Sequence, residues 1–264
     1  MGWFTATISE RPEFAVRGRF CRLQAGVSRP FAGSYRAQLI ALALGAGLAL
    51  VATTASRSPL IGALSGLGAA VAIGAIGLLP FASAGLRGAL ELINDHNTHE
   101  RAEWRAETGT RSPRGIRRQE EWLIDHPVGP GRASVLLTLG RLAEADEAIA
   151  QIEPATPEQR FDVDILRETS RLLAGQRPAL DAMASSWRAL PDPIERRHRR
   201  ECLALLGALV AVADRQDPIP ILAATRREIG EVPASMQVGR IVARWAAAGA
   251  AIIVGAAVVG LAFT

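Results

Sequence analysis

Residues Pro59 to Leu86 read PLIGALSGLGAAVAIGAIGLLPFASAGL and lie inside an uncharged run bounded by Arg57 and Arg87. About 20 helical residues, each rising about 1.5 Å, cross the roughly 30 Å hydrocarbon layer of a bilayer. An uncharged apolar run of this length therefore predicts a membrane span. We place this second span at about residues 60–86, with Pro80 as a kink after which the same helix continues beyond the membrane surface.

Two further apolar segments predict two further spans, so the expected fold class is all-α, with three transmembrane helices and a helical-hairpin repeat domain. The first span lies at about residues 38–55 and forms a hairpin with the second across a tight turn. The expected layout is an arm at 1–36, the hairpin at 37–86, a helical stalk and linker at 87–118, the helical domain at 119–230 and a third span at 240–264.

The arginines near the span ends predict the orientation of the chain, because positive charge accumulates on the cytoplasmic side of a membrane. On one side lie Arg22, Arg29, Arg36, Arg87, Arg101, Arg105, Arg240 and Arg244, whereas Arg57 lies alone on the other. We therefore expect a multi-pass protein of a bacterial inner membrane, with the N-terminus and central domain in the cytoplasm and the C-terminus outside.

Charge and cysteine content exclude several classes of protein. All 30 basic residues are arginine, and six of them, against two glutamates, fall in residues 1–36, which accounts for the net charge of +4. Residues 87–244 carry 23 arginines and 24 acidic residues, so the central region is near neutral and is not a nucleic-acid-binding domain by charge. Two cysteines provide neither a disulfide framework nor a metal-type pair.

The N-terminal 36 residues mix arginines with aromatic residues. This mixture suits the lipid headgroup region, where rings lie at the interface and guanidinium groups meet anionic lipid. We expect either an interfacial arm or a disordered segment.

Small residues recur every fourth position in two of the spans. A stripe of this kind lets helix backbones approach closely inside a membrane. The pattern predicts a three-helix bundle within one chain, and the alternative is association of several chains through the same faces. The residues are Gly62, Gly66, Ala70 and Gly74 in the second span and Ala247, Ala251 and Gly255 in the third.

Sites for chemistry are sparse. The three spans lack the ionisable residues that mark proton relays and ion paths, which argues against a transporter acting alone. No catalytic motif occurs, and we assign no catalytic residue and no cofactor. One metal candidate remains in the stalk, where a solvated helical face is the interpretation that we prefer. Its residues are His96, His99, Glu100 and Glu103, spaced to share one helical face.

The region 119–230 breaks into helices with clear start and stop signals. Thr156 followed by Pro157 and Gln159 is typical of a capped helix start, while Gly140 and Gly175 are suited to the residue after a last turn. Two helices carry the same apolar spacing of i, i+3, i+7 and i+10. These stripes are Leu142, Ala145, Ile149 and Ile152, and Leu180, Met183, Trp187 and Leu190.

The segment LGRLAEA at 139–145 resembles the turn and second-helix start of a tetratricopeptide repeat, and AGQRPAL at 174–180 is similar to it 35 residues later. The resemblance covers about residues 132–190 and extends to 230 if a third hairpin belongs to it. It implies stacked helical hairpins with a surface that binds a protein or peptide.

A dense basic run at 196–200 is the remaining charged feature. Five consecutive residues wrap more than one helical turn, so they cannot all face one partner. A solvated face with local ion pairs is the simpler interpretation, and contact with lipid or an acidic partner is the alternative. The arginines concerned are Arg196, Arg197, Arg199 and Arg200.

These patterns together predict a non-enzymatic membrane scaffold or assembly factor that presents a helical domain to a protein partner. Two other classes stay open. One is an accessory subunit of a larger membrane secretion or transport complex, held mainly through its spans. The other is a membrane-bound enzyme or metal-dependent regulator.

Overall fold

A computed structural model of the 264-residue chain describes residues 12–93, 113–229 and 234–264. Every element in those ranges is helical, and no strand occurs among them. The chain divides into two compact units. We call Met1–Val27 with Asn97–Ile229 the helical unit, and Ser28–His96 with Gly230–Thr264 the apolar unit.

Three helices in the described residues are long and apolar enough to cross a membrane. Their apolar segments lie within Ala15–Ser56, Pro59–Ile76 and Ala243–Phe263, where an 18-residue stretch of each has a mean hydropathy of 2.0, 1.9 and 2.3, respectively. The helices concerned are α1 (Pro12–Ser56), α2 (Pro59–Ile76) and α11 (Ala234–Gly260); the apolar unit also contains 3-10 helices at Leu79–Ala84 and Leu261–Phe263 and helix α3 at residues 85–93.

Helix α1 begins at Pro12, within the stretch where the sequence predicted an arm. Its residues up to Val27 belong to the helical unit, where Leu23 and Val27 are buried in the core and Val16 and Phe20 pack against it. The spacing of these four residues, i, i+4, i+7 and i+11, puts them on one helical face. The described part of this stretch is therefore an integral helix of the helical unit.

Helix α2 starts as its sequence suggests and ends earlier than expected. Ser58 caps it by accepting a hydrogen bond from the amide of Ile61. The expectation of one continuous helix through Pro80 is wrong, because α2 ends at Ile76 and a 3-10 helix follows. Phe81 in that 3-10 helix is fully buried, with its ring centroid 5.1 Å from that of Phe31. This aromatic contact packs the 3-10 helix that follows α2 against α1.

The helical unit contains seven further helices in its described part. Their starts and stops follow local capping chemistry: Thr156 accepts from the amide of Gln159 at 3.2 Å, and Gln159 in return accepts from the amide of Ala155 at 2.8 Å. Gly140 and Gly175 end their helices with φ of 80° and 87°, as predicted. The helices are α4 (Pro113–Asp125), α5 (Pro130–Leu139), α6 (Leu142–Ala150), α7 (Pro157–Ala174), α8 (Leu180–Arg188), α9 (Pro193–Ala213) and α10 (Ile219–Ile229).

Three hairpins form the body of this unit: α5 with α6, α7 with α8, and α9 with α10. The first helix of each hairpin packs against the first helix of the next, and α6 and α8 each pack against the first helix of the following hairpin. Both predicted apolar stripes are confirmed. The stripe of α6 faces the main core beside Leu136 and Leu173, and the stripe of α8 joins a second cluster with Phe161 and Leu203.

Candidate functional site

The ends of the three hairpins are covered by the chain's own helix α1. A Cβ added to Gly140 would lie 2.8 Å from the backbone nitrogen of Arg17, and one added to Gly175 would lie 2.9 Å from Arg19 Nη1. The same guanidinium donates to the carbonyl of Leu173 at 2.6 Å. Further along α1, Gly26 lies directly against Val212 of α9.

Helix α1 thus crosses the C-terminal ends of α5, α7 and α9 in succession. In a stack of helical hairpins, that row of first helices is a continuous surface on which a further helix can lie. Here the chain itself occupies that surface at those ends.

Arg199, from the predicted basic run, is buried in the helical unit and links two of its helices. Only 8% of its side chain is exposed, and it pairs with Asp162 of α7 at 2.7 Å and with Glu195. It also donates to the carbonyl of Glu158 at 3.2 Å. Burial lowers the pKa of Arg199, but the hydrogen bonds to the two carboxylates outweigh it and leave the pKa above its ordinary value. The side chain therefore stays charged and joins α7 to α9.

Arg200 is also engaged within the chain. It donates to Glu228 of α10 at 2.7 Å, and its guanidinium lies 5.2 Å from the ring centroid of Trp187. Trp187 in turn donates its indole N–H to the carbonyl of Arg196 at 2.6 Å. Among the four arginines of the run, Arg199 is buried, whereas Arg196, Arg197 and Arg200 are half-buried.

A polar depression of about 460 Å³ lies between the first two hairpins. On its rim Arg167 pairs with Asp164, and Arg171 with Glu168, each at 3.0 Å. Both guanidinium groups remain about half exposed, so they retain free donors. The lining residues are Asp146, Arg167, Glu168, Ser170, Arg171, Ala174 and Gln176.

Two hydrogen bonds hold the depression in shape. The Ser170 hydroxyl donates to Asp146 of α6 at 2.6 Å, and the amide of Ala179 donates to Glu168 at 2.7 Å. Sequence reasoning missed this site, since Asp146 and Ser170 belong to different hairpins. The spacing of Arg167 and Arg171 at i, i+4 was the only local signal.

The small-residue stripe of α2 divides between a packed part and an open part. A Cβ on Gly66 would lie 2.5 Å from the carbonyl oxygen of Gly45 and 2.8 Å from Ile253. Gly62 lies as closely against Ala49 and Thr53 of α1, and Ala70 packs in the same cluster. By contrast, a Cβ on Gly74 would meet nothing within 4 Å.

The stripe predicted in the third span faces away from the other two apolar helices. Ala247 and Ala251 are exposed, and a Cβ on Gly255 would meet nothing within 4 Å. Helix α11 instead buries Ile253 and Ala257. This part of the stripe is open for contact with something outside the chain.

The metal candidates of the stalk, His96, His99, Glu100 and Glu103, lie outside the described residues. Within the described ranges no group of three metal-ligating side chains comes together. Cys202 of α9 is half-buried, and its pKa is raised first by burial and further by the nearby charges of Asp162 and Glu201. Its thiol is therefore protonated at neutral pH.

No protein-family model matches this sequence, and no curated protein and no solved structure is similar enough to match it.

Proposed function

We propose that this chain is a non-enzymatic membrane scaffold or assembly factor, with the apolar unit inserted in a bilayer and the helical unit binding a protein partner. The distribution of exposed large apolar residues carries the proposal. Among the described residues they all lie on the apolar unit except for Ile124, Val128, Ile194 and Leu205. Apolar surface on this scale, on helices long enough to span, suits hydrocarbon as its solvent.

The proposed orientation keeps the helical unit and the N-terminus in the cytoplasm. Helices α1 and α11 run in the same direction, since Leu42 approaches Gly249 and Thr53 approaches Gly260. The arginine-bearing starts of the apolar segments of α1 and α11 thus share one end of the apolar unit, and Arg57 lies at the other. This arrangement supports the positive-inside assignment made from the sequence.

The polar depression is the surface that we propose for the partner. The order of packing among the hairpins is consistent with the resemblance to tetratricopeptide repeats. That resemblance implies a surface that binds a protein or peptide. Helix α1 covers the ends of the first helices, so we place the partner at a different surface. The depression has a concave shape, and Arg167 and Arg171 there have free donors that an extended, negatively charged segment can bind.

A paired charge reversal tests this assignment in the full chain. Arg167→Glu with Arg171→Glu should abolish co-purification of the partner from native membranes in mild detergent. The matched control is Arg160→Glu with Arg188→Glu, which makes the same charge change at exposed positions of α7 and α8 outside the depression. Equal retention by both variants would contradict the assignment, and extraction of the chain by alkaline carbonate would contradict membrane insertion.

A second candidate is an accessory subunit of a larger membrane complex, held through its apolar helices. The open positions Gly74 and Gly255 favour it, because they leave room for another helix. Gly74→Ile with Gly255→Ile should then release the chain from the complex without disturbing its own packing. Loss of the complex in this variant, with retention in the Arg167/Arg171 variant, would favour the subunit over the scaffold.

A further inference from the structure

One level of the apolar unit carries exposed arginine side chains from two helices. Gly249 approaches Leu42, Ile253 approaches Gly45 and Gly260 approaches Thr53. Residues of α11 and α1 that lie at the same height along the two parallel helices, which we call one level, therefore differ in residue number by 207 or 208. The same offset puts Arg244 level with Arg36. Trp245, the next residue, has 70% of its surface exposed.

The charges at this level have no acidic partner among the residues that the structure describes. In the described part of the apolar unit, Glu91 is the one acidic residue, and it pairs with Arg87 at 3.0 Å. Arg36 and Arg244 are both exposed, and neither forms an ion pair or hydrogen bond with any residue that the structure describes. Both side chains are therefore accessible to an anion from outside the chain.

The apolar surface next to these arginines indicates where that anion lies. From Ala37 to Ser56, α1 carries no charged residue, and Leu39 and Ile40, three and four residues after Arg36, are exposed. On α11 the stretch from Trp245 to the end of the chain is likewise uncharged. Each of the two arginines thus directly precedes an uncharged, apolar stretch of its helix.

We infer that Arg36 and Arg244, the latter with Trp245 beside it, each bind the phosphate of an anionic phospholipid. The inference rests on the proposed membrane insertion. A guanidinium group presents paired N–H donors that match the oxygens of a phosphate, and it keeps its charge in a partly dehydrated layer. An exposed indole ring suits the same layer, where its apolar face meets acyl chains and its N–H meets headgroups.

The proposed ligand is a lipid and not a soluble polyanion, since exposed apolar side chains such as Leu39, Ile40 and Trp245 lie next to the arginines in the sequence. We expect charge to supply most of the preference for anionic over neutral lipid, because each basic residue near an anionic membrane surface raises the binding affinity by roughly fivefold. Phosphatidylglycerol should accordingly be held in preference to phosphatidylcholine, which has no net charge.

Native mass spectrometry of the full chain tests the site. The chain, purified in mild detergent and incubated with equal amounts of phosphatidylglycerol and phosphatidylcholine, should retain mainly phosphatidylglycerol. Arg36→Gln with Arg244→Gln should lower the ratio of the two bound lipids by roughly fivefold for each charge removed. Arg36→Lys with Arg244→Lys should keep most of the preference, and Arg57→Gln, at the opposite end of the apolar unit, should leave it unchanged.

The outcomes separate this inference from the proposed function. If the glutamine variant stays in carbonate-washed membranes but keeps the wild-type lipid ratio, the lipid site is wrong and membrane insertion stands. If Arg57→Gln lowers the ratio as much as the double variant does, the preference is not local to Arg36 and Arg244, and the site is again wrong. If carbonate releases the wild-type chain, both the insertion and the lipid site are overturned.

Discussion

The contacts of Arg199 predict that this side chain stabilises the helical unit. Removing it leaves Asp162 and Glu195 without their cation and the carbonyl of Glu158 without a donor. Because both carboxylates are nearly half exposed and can be hydrated, we expect Arg199→Ala to lower the free energy of unfolding by about 1–3 kcal/mol. Urea unfolding of the full chain in mild detergent, followed by circular dichroism, measures this change.

The control is Arg160→Ala, an exposed arginine of α7, which should change that free energy by no more than about 0.5 kcal/mol. Equal midpoints for the two variants would show that the Arg199 pairs contribute nothing.

Gly66 and Gly68 make a matched pair on α2. A Cβ on Gly66 would come within 2.5 Å of a backbone oxygen of α1, whereas one on Gly68 would meet nothing within 4 Å. Backbone cannot turn aside as a flexible side chain can, so we expect Gly66→Ala to destabilise the apolar unit by about 1–3 kcal/mol. Gly68→Ala should be neutral or slightly stabilising. Unfolding of the full chain by dodecyl sulfate in mixed micelles distinguishes the two, and similar curves would contradict the close packing.

At the scale of elements, the first turns of α1 hold the main surprise. An interfacial or disordered arm would tolerate changes at Leu23, but the structure buries this side chain among the hairpins. We therefore expect Leu23→Ala to lower the free energy of unfolding of the helical unit by about 2–4 kcal/mol. Arg22→Ala, at an exposed position next to it, should have little effect. Urea unfolding measures both variants. If Leu23→Ala left the free energy of unfolding unchanged, the interfacial or disordered arm expected from the sequence would be the better description.

Local signals predicted the hairpin helices well. Thr156, Gly140 and Gly175 act within one turn of their own positions, so capping chemistry alone indicates where α5 and α7 end or begin. The joining of α1 to those hairpins is different. It depends on contacts such as Arg19 with Leu173, 154 residues apart, which no local pattern reveals.

At the scale of the whole molecule, the proposed orientation makes a direct prediction. In a chain with Cys21→Ser and Cys202→Ala, a cysteine at position 57 should react in intact cells with a maleimide that cannot cross membranes. A cysteine at position 191, exposed between α8 and α9, should react only after the cells are opened. The reverse pattern would contradict the proposed orientation.

Length and composition of the apolar stretches determined, from sequence alone, that the chain has three helices able to span a bilayer. Local capping and apolar spacing likewise determined most helices of the helical unit, and the spacing of small residues determined the packed part of the stripe in Pro59–Leu86, which is Gly62, Gly66 and Ala70. Only the tertiary structure decided that α11 packs through Ile253 and leaves Gly255 open, and that Ser170 meets Asp146. The reason is physical: a helix and its caps depend on neighbours within about four residues, whereas the choice between two apolar faces depends on a partner segment far away in the chain.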